Sequence, residues 1–282
     1  MLQKKDYIKI TKEILNNKAQ QLMLDQIENF YQLEQKQLKN DTYKIGDYVK
    51  LKKNTLMHGF GSSLEILDLC AQQGLINKDF EYGAANHKIS HCVSLWHIKK
   101  NIKLADYIVN YSGMTVRYDN NHIIVPYKKF DEFIEKMRNK GYWSLEAESS
   151  METRFMPSLA KDSNKLQMAF IINARDKACQ KLMWYNLLND EIDIDTVFNF
   201  MHFNPNNKPK NPKQPSHMEM FKQNRQQDDD KRIAYIMFGI PKNMFEGILV
   251  GRKYEKNKKI LNRIKQILPN CYICNLDGKV IA

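Results

Sequence analysis

A histidine–glycine pair, His58 and Gly59, stands near the end of a short apolar run that begins at Thr55. A histidine ring nitrogen in this position can donate a hydrogen bond to a ribose hydroxyl or to a carbonyl group. The glycine has no Cβ, so a ligand can approach its backbone closely. A histidine in a surface turn is the equally weighted alternative. The pair is the first candidate for a binding site.

The residues around this pair predict the elements that would hold it: a strand, a polar turn and a short helix over residues 55–75. Ser62 and Glu65 have the S-x-x-E spacing of a capping box, in which each side chain satisfies a backbone donor at a helix start. Gly74 stands where a helix C-cap favours left-handed dihedral angles. The apolar positions of this helix are Leu64, Leu67 and Ala71 on one face, with Ile66 and Cys70 beside it.

A cluster of carboxylates, Glu146, Glu148 and Glu152, is the second candidate, and Arg154 follows it. In an extended strand these four side chains would point to the same side. A glutamate in a cleft can activate a nucleophile or stabilise a developing oxocarbenium cation. Three carboxylates on a solvent-facing side would be ordinary, and the two interpretations carry equal weight.

The cysteines and the other histidines give weaker signals. Cys271-x-x-Cys274 lacks the second pair that a zinc site would need, and its strand-like setting differs from the helix start of a redox pair; a structural role is predicted. His87, His91 and His97 have no acidic partner at ligand spacing, so no metal site is predicted. The sequence contains no GxxxxGK[ST], GxGxxG or GxSxG motif, which argues against the common nucleoside-triphosphate, Rossmann and serine-hydrolase classes.

The composition predicts a globular protein inside the cell. Of the 282 residues, 43% are apolar and 27% are charged, which fits a sizeable core. The five cysteines are an odd number with no secretory signal before them, which predicts reduced thiols and a cytoplasmic location. No run approaches the ~20 apolar residues of a membrane helix, so no membrane association is predicted.

The formal net charge of +12 favours polyanionic partners such as nucleic acid. The densest basic region is 252–259, followed by Arg263 and Lys265, at the start and along the outer face of a predicted helix. A solvated helix face is the default interpretation of this region. Contact with a phosphate backbone is the alternative.

Many short strands alternating with irregular helices predict an α+β fold with a mixed or antiparallel sheet. Residues 6–40 repeat apolar side chains at helical spacing without Pro or Gly, which predicts one long helix or a helical pair. Packing of this segment on the following domain is favoured over pairing with a partner or self-association. The remaining predictions are strands at 44–51, 89–97, 166–173, 232–238, 248–251 and 271–276, a hairpin at 114–127 turning at 119–121, a helix or strand at 104–111, helices at 130–138 and 257–268, mixed helix at 178–203 and a flexible loop at 204–217.

Three motifs together resemble the ADP-ribosyltransferase superfamily in its histidine-type branch. The first is the apolar strand that ends in His58-Gly59 and is followed by a helix ending in Gly-Leu, which is similar to the NAD-binding start of the family. The second is the strand around Ser94, with Tyr107 after it, which is similar to the segment whose serine or tyrosine lines the nicotinamide pocket. The third is the proline-started run at 240–250, which is similar to a strand near the end of such domains.

The resemblance covers about residues 45–282. It implies a split mixed or antiparallel sheet in a catalytic domain at 43–282, preceded by an N-terminal helical segment at 1–42. It also implies that NAD is the substrate and that ADP-ribose passes to an intracellular protein or nucleic acid.

Carried onto this chain, the resemblance implies a role for each matching residue. His58, counted among the catalytic residues, would bond the ribose next to the nicotinamide, and the backbone of Gly59 would bond the carboxamide. Ser94 would help to hold that ribose or would shape the pocket, and Tyr107 would line the nicotinamide pocket. A catalytic glutamate would polarise the ribose hydroxyl and stabilise the oxocarbenium-like transition state, and Glu152 is the first choice.

Two departures from the family pattern leave the choice of glutamate open. Phe60 replaces the small polar residue that usually follows His-Gly, and the run 232–238, where relatives often carry the glutamate, holds none. Glu148 is therefore the second choice and Glu246 the third, with loss of transferase activity as a further possibility. A non-catalytic, basic nucleic-acid-binding or interaction protein is the alternative function.

Overall fold

The structure, a computed structural model, describes most of the N-terminal half and the C-terminal part of the chain. It describes residues 2–15, 17–60, 64–80, 93–111, 113–118, 121–126, 130–141, 146–148, 168–182, 232–251 and 254–282. The predicted loop at 204–217 and most of the predicted mixed helix at 178–203 lie outside these residues.

Along the described residues, helices are interspersed among the strands without a regular alternation. They are α1 (Lys4–Ile14), α2 (Asn17–Glu34), α3 (Leu64–Gln73), α4 (Leu104–Tyr111), α5 (Phe130–Asn139), α6 (Lys177–Gln180) and α7 (Lys258–Ile267), with a 3-10 turn at Lys242–Met244.

The strands are short, as the sequence predicts. They are β1 (Lys50–Leu51), β2 (Thr55–Phe60), β3 (Leu75–Ile76), β4 (Val93–His97), β5 (Ile102–Lys103), β6 (Gly113–Tyr118), β7 (Asn121–Pro126), β8 (Glu146–Glu148), β9 (Met168–Asn173), β10 (Arg232–Ile236), β11 (Gly239–Ile240), β12 (Phe245–Val250) and β13 (Tyr272–Cys274).

Six of these strands form the main sheet, in the order β10-β4-β2-β9-β12-β13. All neighbours in it are antiparallel except β12 and β13, which are parallel. The sheet is mixed and does not close on itself, which confirms the predicted α+β class with a mixed or antiparallel sheet. Smaller pairings join β1 to β5, β11 to β3, and β7, β6 and β8 to one another.

The two faces of the main sheet pack against different groups of apolar side chains. Because side chains alternate along a strand, neighbouring residues of β2 face opposite sides. Leu56 belongs to the larger group, here called the first core, with Phe170 of β9. Met57 belongs to the smaller group, the second core, with Tyr272 of β13.

The N-terminal helices pack into the first core. Met23, Ile27 and Phe30 of α2 are fully buried there, and Tyr7 of α1 contacts the ring of Phe238 edge-on at 4.9 Å. The packing interpretation of this segment is therefore confirmed. The segment is a helical pair because Leu15 is extended (ψ 155) and ends α1. The boundary at residue 42 stays a prediction.

Several local predictions are confirmed and one needs correction. The hairpin at 114–127, the helix at 130–138 and the helix at 257–268 all form, and 104–111 is a helix. The strand predicted at 44–51 is reduced to β1, because Gly46 has φ +99 and the chain turns between Lys44 and Asp47. The predicted apolar face of α3 packs against the first core, with Leu67 buried and Leu64 and Ala71 partly buried, while Ile66 beside this face is 44% exposed.

Candidate functional site

His58 lies inside strand β2 and is not in a surface turn, because β2 continues to Phe60. Its side chain is partly buried. His58 pairs with Phe170 of β9, and cross-strand partners share one face of a sheet. The histidine therefore faces the side of the first core.

The pairing of β2 with β4 ends just before this histidine. Within the described residues, β2 pairs with β4 only through Leu56 and Met57, whereas it pairs with β9 along its whole length from Thr55 to Phe60. Strand β4 continues to pair with β10 as far as Val93. His58 is therefore the first residue of β2 beyond the two that pair with β4 in the described residues, and it stays paired with β9 on the other side.

The other residues that the resemblance places around the nicotinamide are distributed over both faces. Gly59 is buried and pairs with Ala169, a residue of the second core. Tyr107 of α4 is 9% exposed and packs in the second core, across the sheet from His58. Ser94 lies in β4 and pairs with Tyr235 of β10. These positions do not bring Tyr107 and His58 together.

Of the first- and second-choice glutamates, the structure describes only Glu148. Glu152 and Arg154 fall outside the described residues, as does the predicted capping residue Ser62. Glu148 lies in β8, where its backbone pairs with Thr115 of β6. The predicted extended conformation of this acidic run is confirmed for Glu146–Glu148. Its relation to His58 stays a prediction.

Glu246, the third choice, is held in a buried ion pair. Arg175 donates to both of its carboxylate oxygens, from Nη1 to Oε1 at 2.9 Å and from Nη2 to Oε2 at 2.8 Å. The glutamate side chain is 3% exposed and the arginine side chain 19%. This fork geometry is the strongest form of arginine–carboxylate contact. The Glu246 carboxylate is thus engaged by Arg175 near the Asn173 end of β9. His58 pairs with Phe170, which lies further from that end of the strand.

The segment after α2 that contains Lys39 and Asp41, called here the strap, completes this ion-pair cluster. Asp41 lies 3.4 Å from Nη1 of Arg175 and 2.6 Å from Nζ of Lys52. Burial disfavours a charged Arg175, but the hydrogen bonds and charge of Glu246, with Asp41, outweigh it and raise the pKa of Arg175 above its ordinary value. Asn173 fastens the strap by donating to the carbonyl oxygen of Lys39 at 3.0 Å. The cluster therefore ties the N-terminal helices to the sheet.

Sequence reasoning missed Arg175 and Asp41, because neither belongs to a motif and Arg175 is 71 residues from its partner. A usable signal was present in β12. A lone carboxylate within the apolar run 244–250 must find a cation when it is buried. That signal predicts a partner without identifying it.

The remaining histidines provide no metal centre among the described residues. His97 is 3% exposed, and its Nε2 lies 2.9 Å from Oδ1 of Asn54, a residue in the left-handed region with φ 67. Asparagine tolerates this conformation better than most residues. His87 and His91 lie outside the described residues. Within the described ranges no group of three or more His, Cys, Asp or Glu side chains could hold a metal ion.

Cys271, just before β13, and Cys274, at its end, are buried, which is consistent with the predicted structural role. Cys271 donates from Sγ to the carbonyl oxygen of Phe245 at 3.4 Å, and Cys274 is fully buried. Burial raises the pKa of the Cys271 thiol to about 12 and that of Cys179 to about 11, and it raises the pKa of Cys274 still further. The thiolate, which is the nucleophile and the metal ligand, is therefore strongly disfavoured at these positions.

We expect the folded protein to resist alkylation at Cys179, Cys271 and Cys274. At about pH 8, a thiol with a pKa near 12 is ionised in only about one molecule in ten thousand. Iodoacetamide labelling read by peptide mass spectrometry should modify these cysteines only after unfolding in guanidinium, which serves as the positive control. Rapid labelling of Cys271 or Cys274 in the folded protein would contradict their structural role.

Helix α7 carries the basic region of the sequence. Its amphipathic pattern buries Leu261 and Ile264, and the side chain of Asn257 caps its first turn by accepting from the N–H of Ile260 at 3.2 Å. The basic residues exposed at its start and outer face are Lys256, Lys258, Lys259 and Arg263. Residues 252 and 253 lie outside the described residues.

Comparisons of this chain with protein-family models, with curated proteins and with solved structures each gave no match. Among the described residues, no helix combines the length and the apolar character needed to cross a membrane.

Proposed function

We propose that this chain is an NAD-dependent ADP-ribosyltransferase that binds NAD beside His58. One observation carries the proposal: His58 is partly buried and lies where the pairing of β2 with β4 ends. A histidine ring nitrogen at this position can bond a hydroxyl, and Gly59 beside it has no Cβ to keep a flat ring away from its backbone.

In this proposal, His58 bonds the ribose next to the nicotinamide, and the Gly59 backbone bonds the carboxamide. A glutamate, with Glu152 first and Glu148 second, polarises the ribose hydroxyl and stabilises positive charge on the ribose as it develops. The bond from ribose C1′ to the nicotinamide nitrogen breaks, nicotinamide leaves with that electron pair, and C1′ bonds a nucleophile of the acceptor, whose proton passes to a base. The acceptor is a protein or a nucleic acid.

Calorimetric titration with NAD tests the binding step. We expect the wild type to bind NAD and His58→Ala to raise the Kd about tenfold, as loss of one well-placed hydrogen bond predicts. Lys258→Gln/Lys259→Gln is the control, because it removes two exposed positive charges without touching β2. No heat of binding in the wild type, or equal weakening by the control, would contradict the proposal.

The transfer step is tested with NAD radiolabelled in its adenylate phosphate, incubated with the protein and a cell extract. Glu152→Gln or Glu148→Gln should reduce labelled product about 10²–10⁴-fold while leaving the Kd for NAD nearly unchanged. If neither variant differs from the wild type, neither glutamate is catalytic. The absence of both transfer and NAD hydrolysis in the wild type would reject transferase activity.

A second candidate is a nucleic-acid-binding or interaction protein without catalysis. The observation that favours it is the exposed basic row on α7, which includes Lys258, Lys259 and Arg263, together with the net charge of +12. Such a row at a helix start attracts phosphates. The NAD titration separates the two candidates, since only the first requires binding at His58.

A further inference from the structure

A second basic surface, separate from α7, lies around strand β1. The segment 46–51 runs between β5 on one side and the C-terminal residues 278–280 on the other. Val49 and Leu51 are each 1% exposed and anchor the segment in the second core. Because side chains alternate, Tyr48 and Lys50 point to solvent, as their exposure confirms.

Two lysines face each other across this small sheet. Lys50 pairs directly with Lys103, and both are exposed. Like charges in directly opposite positions destabilise a strand pair. Within the described ranges neither lysine forms an ion pair, and the nearby Lys52 is already paired with Asp41. The pair therefore carries a local positive charge that a bound anion would relieve.

An exposed aromatic ring stands beside this lysine pair. Tyr48 is 62% exposed, and its partner in an antiparallel bridge is Lys279. An aromatic ring of this exposure gains little from the core of the protein. Its neighbours across and along the strand are lysines, so the ring is flanked by positive charge.

The backbone beneath these side chains is held in place. The hydroxyl of Tyr43 accepts from the N–H of Lys50 and donates to the Lys50 carbonyl oxygen, each at 3.3 Å. The Tyr43 ring contacts Tyr272 edge-on at 4.8 Å. The lysines and the tyrosine therefore project from a fixed ribbon and not from a loose loop.

The charge balance of the surface favours an anion. The segments 43–53, 99–106 and 277–279 contain eight lysines, one of which, Lys52, is neutralised by Asp41 from outside the segments, and three aspartates. One of these aspartates, Asp47, is engaged in the turn, where it accepts from the backbone N–H of Lys44 at 2.8 Å. The other two are Asp106, at the start of α4, and Asp277.

We propose that this ribbon, called here the β1 surface and comprising Tyr48, Lys50, Lys103 and Lys279, binds single-stranded nucleic acid. Lysines would contact phosphates, and a base would stack on the Tyr48 ring, which is the combination that single-strand-binding proteins use. An acidic protein segment would satisfy the lysines but would leave the exposed ring without a flat partner. The proposal names a surface distinct from α7 and does not depend on NAD binding.

Fluorescence anisotropy of the full-length protein with fluorescein-labelled oligothymidylate tests the proposal. Lys50→Gln/Lys103→Gln should weaken binding more than tenfold at about 0.1 M salt and make the slope of log K against log salt shallower by roughly 1.4, because each single-strand phosphate contact contributes about 0.7. Tyr48→Ala should weaken binding about tenfold, whereas Tyr48→Phe should retain it, because stacking uses the ring. Duplex DNA should bind more weakly than the single strand.

The matched control removes the same charge from the other basic surface, by Lys258→Gln/Lys259→Gln. Retained binding in this control supports the β1 surface. Loss of binding in the α7 variant alone would overturn the β1 proposal while supporting the second candidate function. Equal binding of polyglutamate and oligothymidylate, or unchanged binding by Tyr48→Ala, would also overturn it. Thermal unfolding of each variant shows that it is folded, and the NAD titration reports separately on His58.

Discussion

Replacement of Arg175 with Met is expected to lower the free energy of unfolding by about 3–5 kcal/mol, the cost of leaving one partner of a buried ion pair alone. The reason is Glu246, whose side chain is 3% exposed and receives two hydrogen bonds from Arg175. Asp41 also loses a cation at 3.4 Å. Equilibrium unfolding in urea, followed by circular dichroism, measures the change.

Two further variants separate the ion pair from simple loss of packing. Arg175→Met/Glu246→Leu removes both charges and should recover most of the lost stability, because an apolar pair replaces a desolvated ion pair. Lys9→Met breaks an exposed pair, in which Lys9 and Glu13 are 3.9 Å apart and 75% and 59% exposed, and should cost no more than about 0.5 kcal/mol. A loss below about 1 kcal/mol for Arg175→Met would contradict the role of the cluster.

The same cluster bears on the choice of catalytic glutamate. Both oxygens of Glu246 are engaged by Arg175, so the side chain has a structural function that accounts for its burial. Glu246→Gln keeps its shape and one acceptor oxygen. If this variant loses stability but keeps the transfer rate per folded molecule, Glu246 is excluded as the catalytic residue and the choice narrows to Glu152 and Glu148.

The features that sequence reasoning predicted well are those determined by neighbours in the chain. The helix ending at Gly74 and the strand carrying His58 follow from residues a few positions away. The hairpin of β6 and β7 is equally local, since only two residues separate the two strands in the sequence. The amphipathic spacing of α7 directly predicts its buried face.

The features that were missed depend on residues far apart in the chain. Arg175 reaches Glu246, and Lys50 meets Lys103, only because the sheet brings distant strands together. The register of β9 and β12 also shifts between Phe245 and Gly247, which places Glu246 at an irregular position that alternation does not predict. The end of the β2–β4 register just before His58 is of the same kind, since a motif indicates a histidine but not where a neighbouring strand stops pairing.

Substitution of Gly74 with Ala is expected to lower the free energy of unfolding by about 2–5 kcal/mol, for two reasons that add. Gly74 has φ +85, and an L-residue in this conformation costs about 1–2 kcal/mol. A Cβ at this position would also come within 2.4 Å of the backbone oxygen of Ile240 and 3.1 Å of Cζ of Phe30. Overpacking of this kind costs about 1–3 kcal/mol.

Gly46 provides the matched control, because it separates the dihedral angle from the crowding. Gly46 has φ +99, but a Cβ there would have nothing within 4 Å. Gly46→Ala should therefore cost only the conformational part, about 1–2 kcal/mol, in the same urea experiment. The excess loss for Gly74→Ala measures how tightly the end of α3 packs against β11 and α2. Equal losses in the two variants would show that the backbone around Gly74 can move away from Ile240 and Phe30. In that case the close approach at Gly74 would not fix the position of α3, the helix that follows His58.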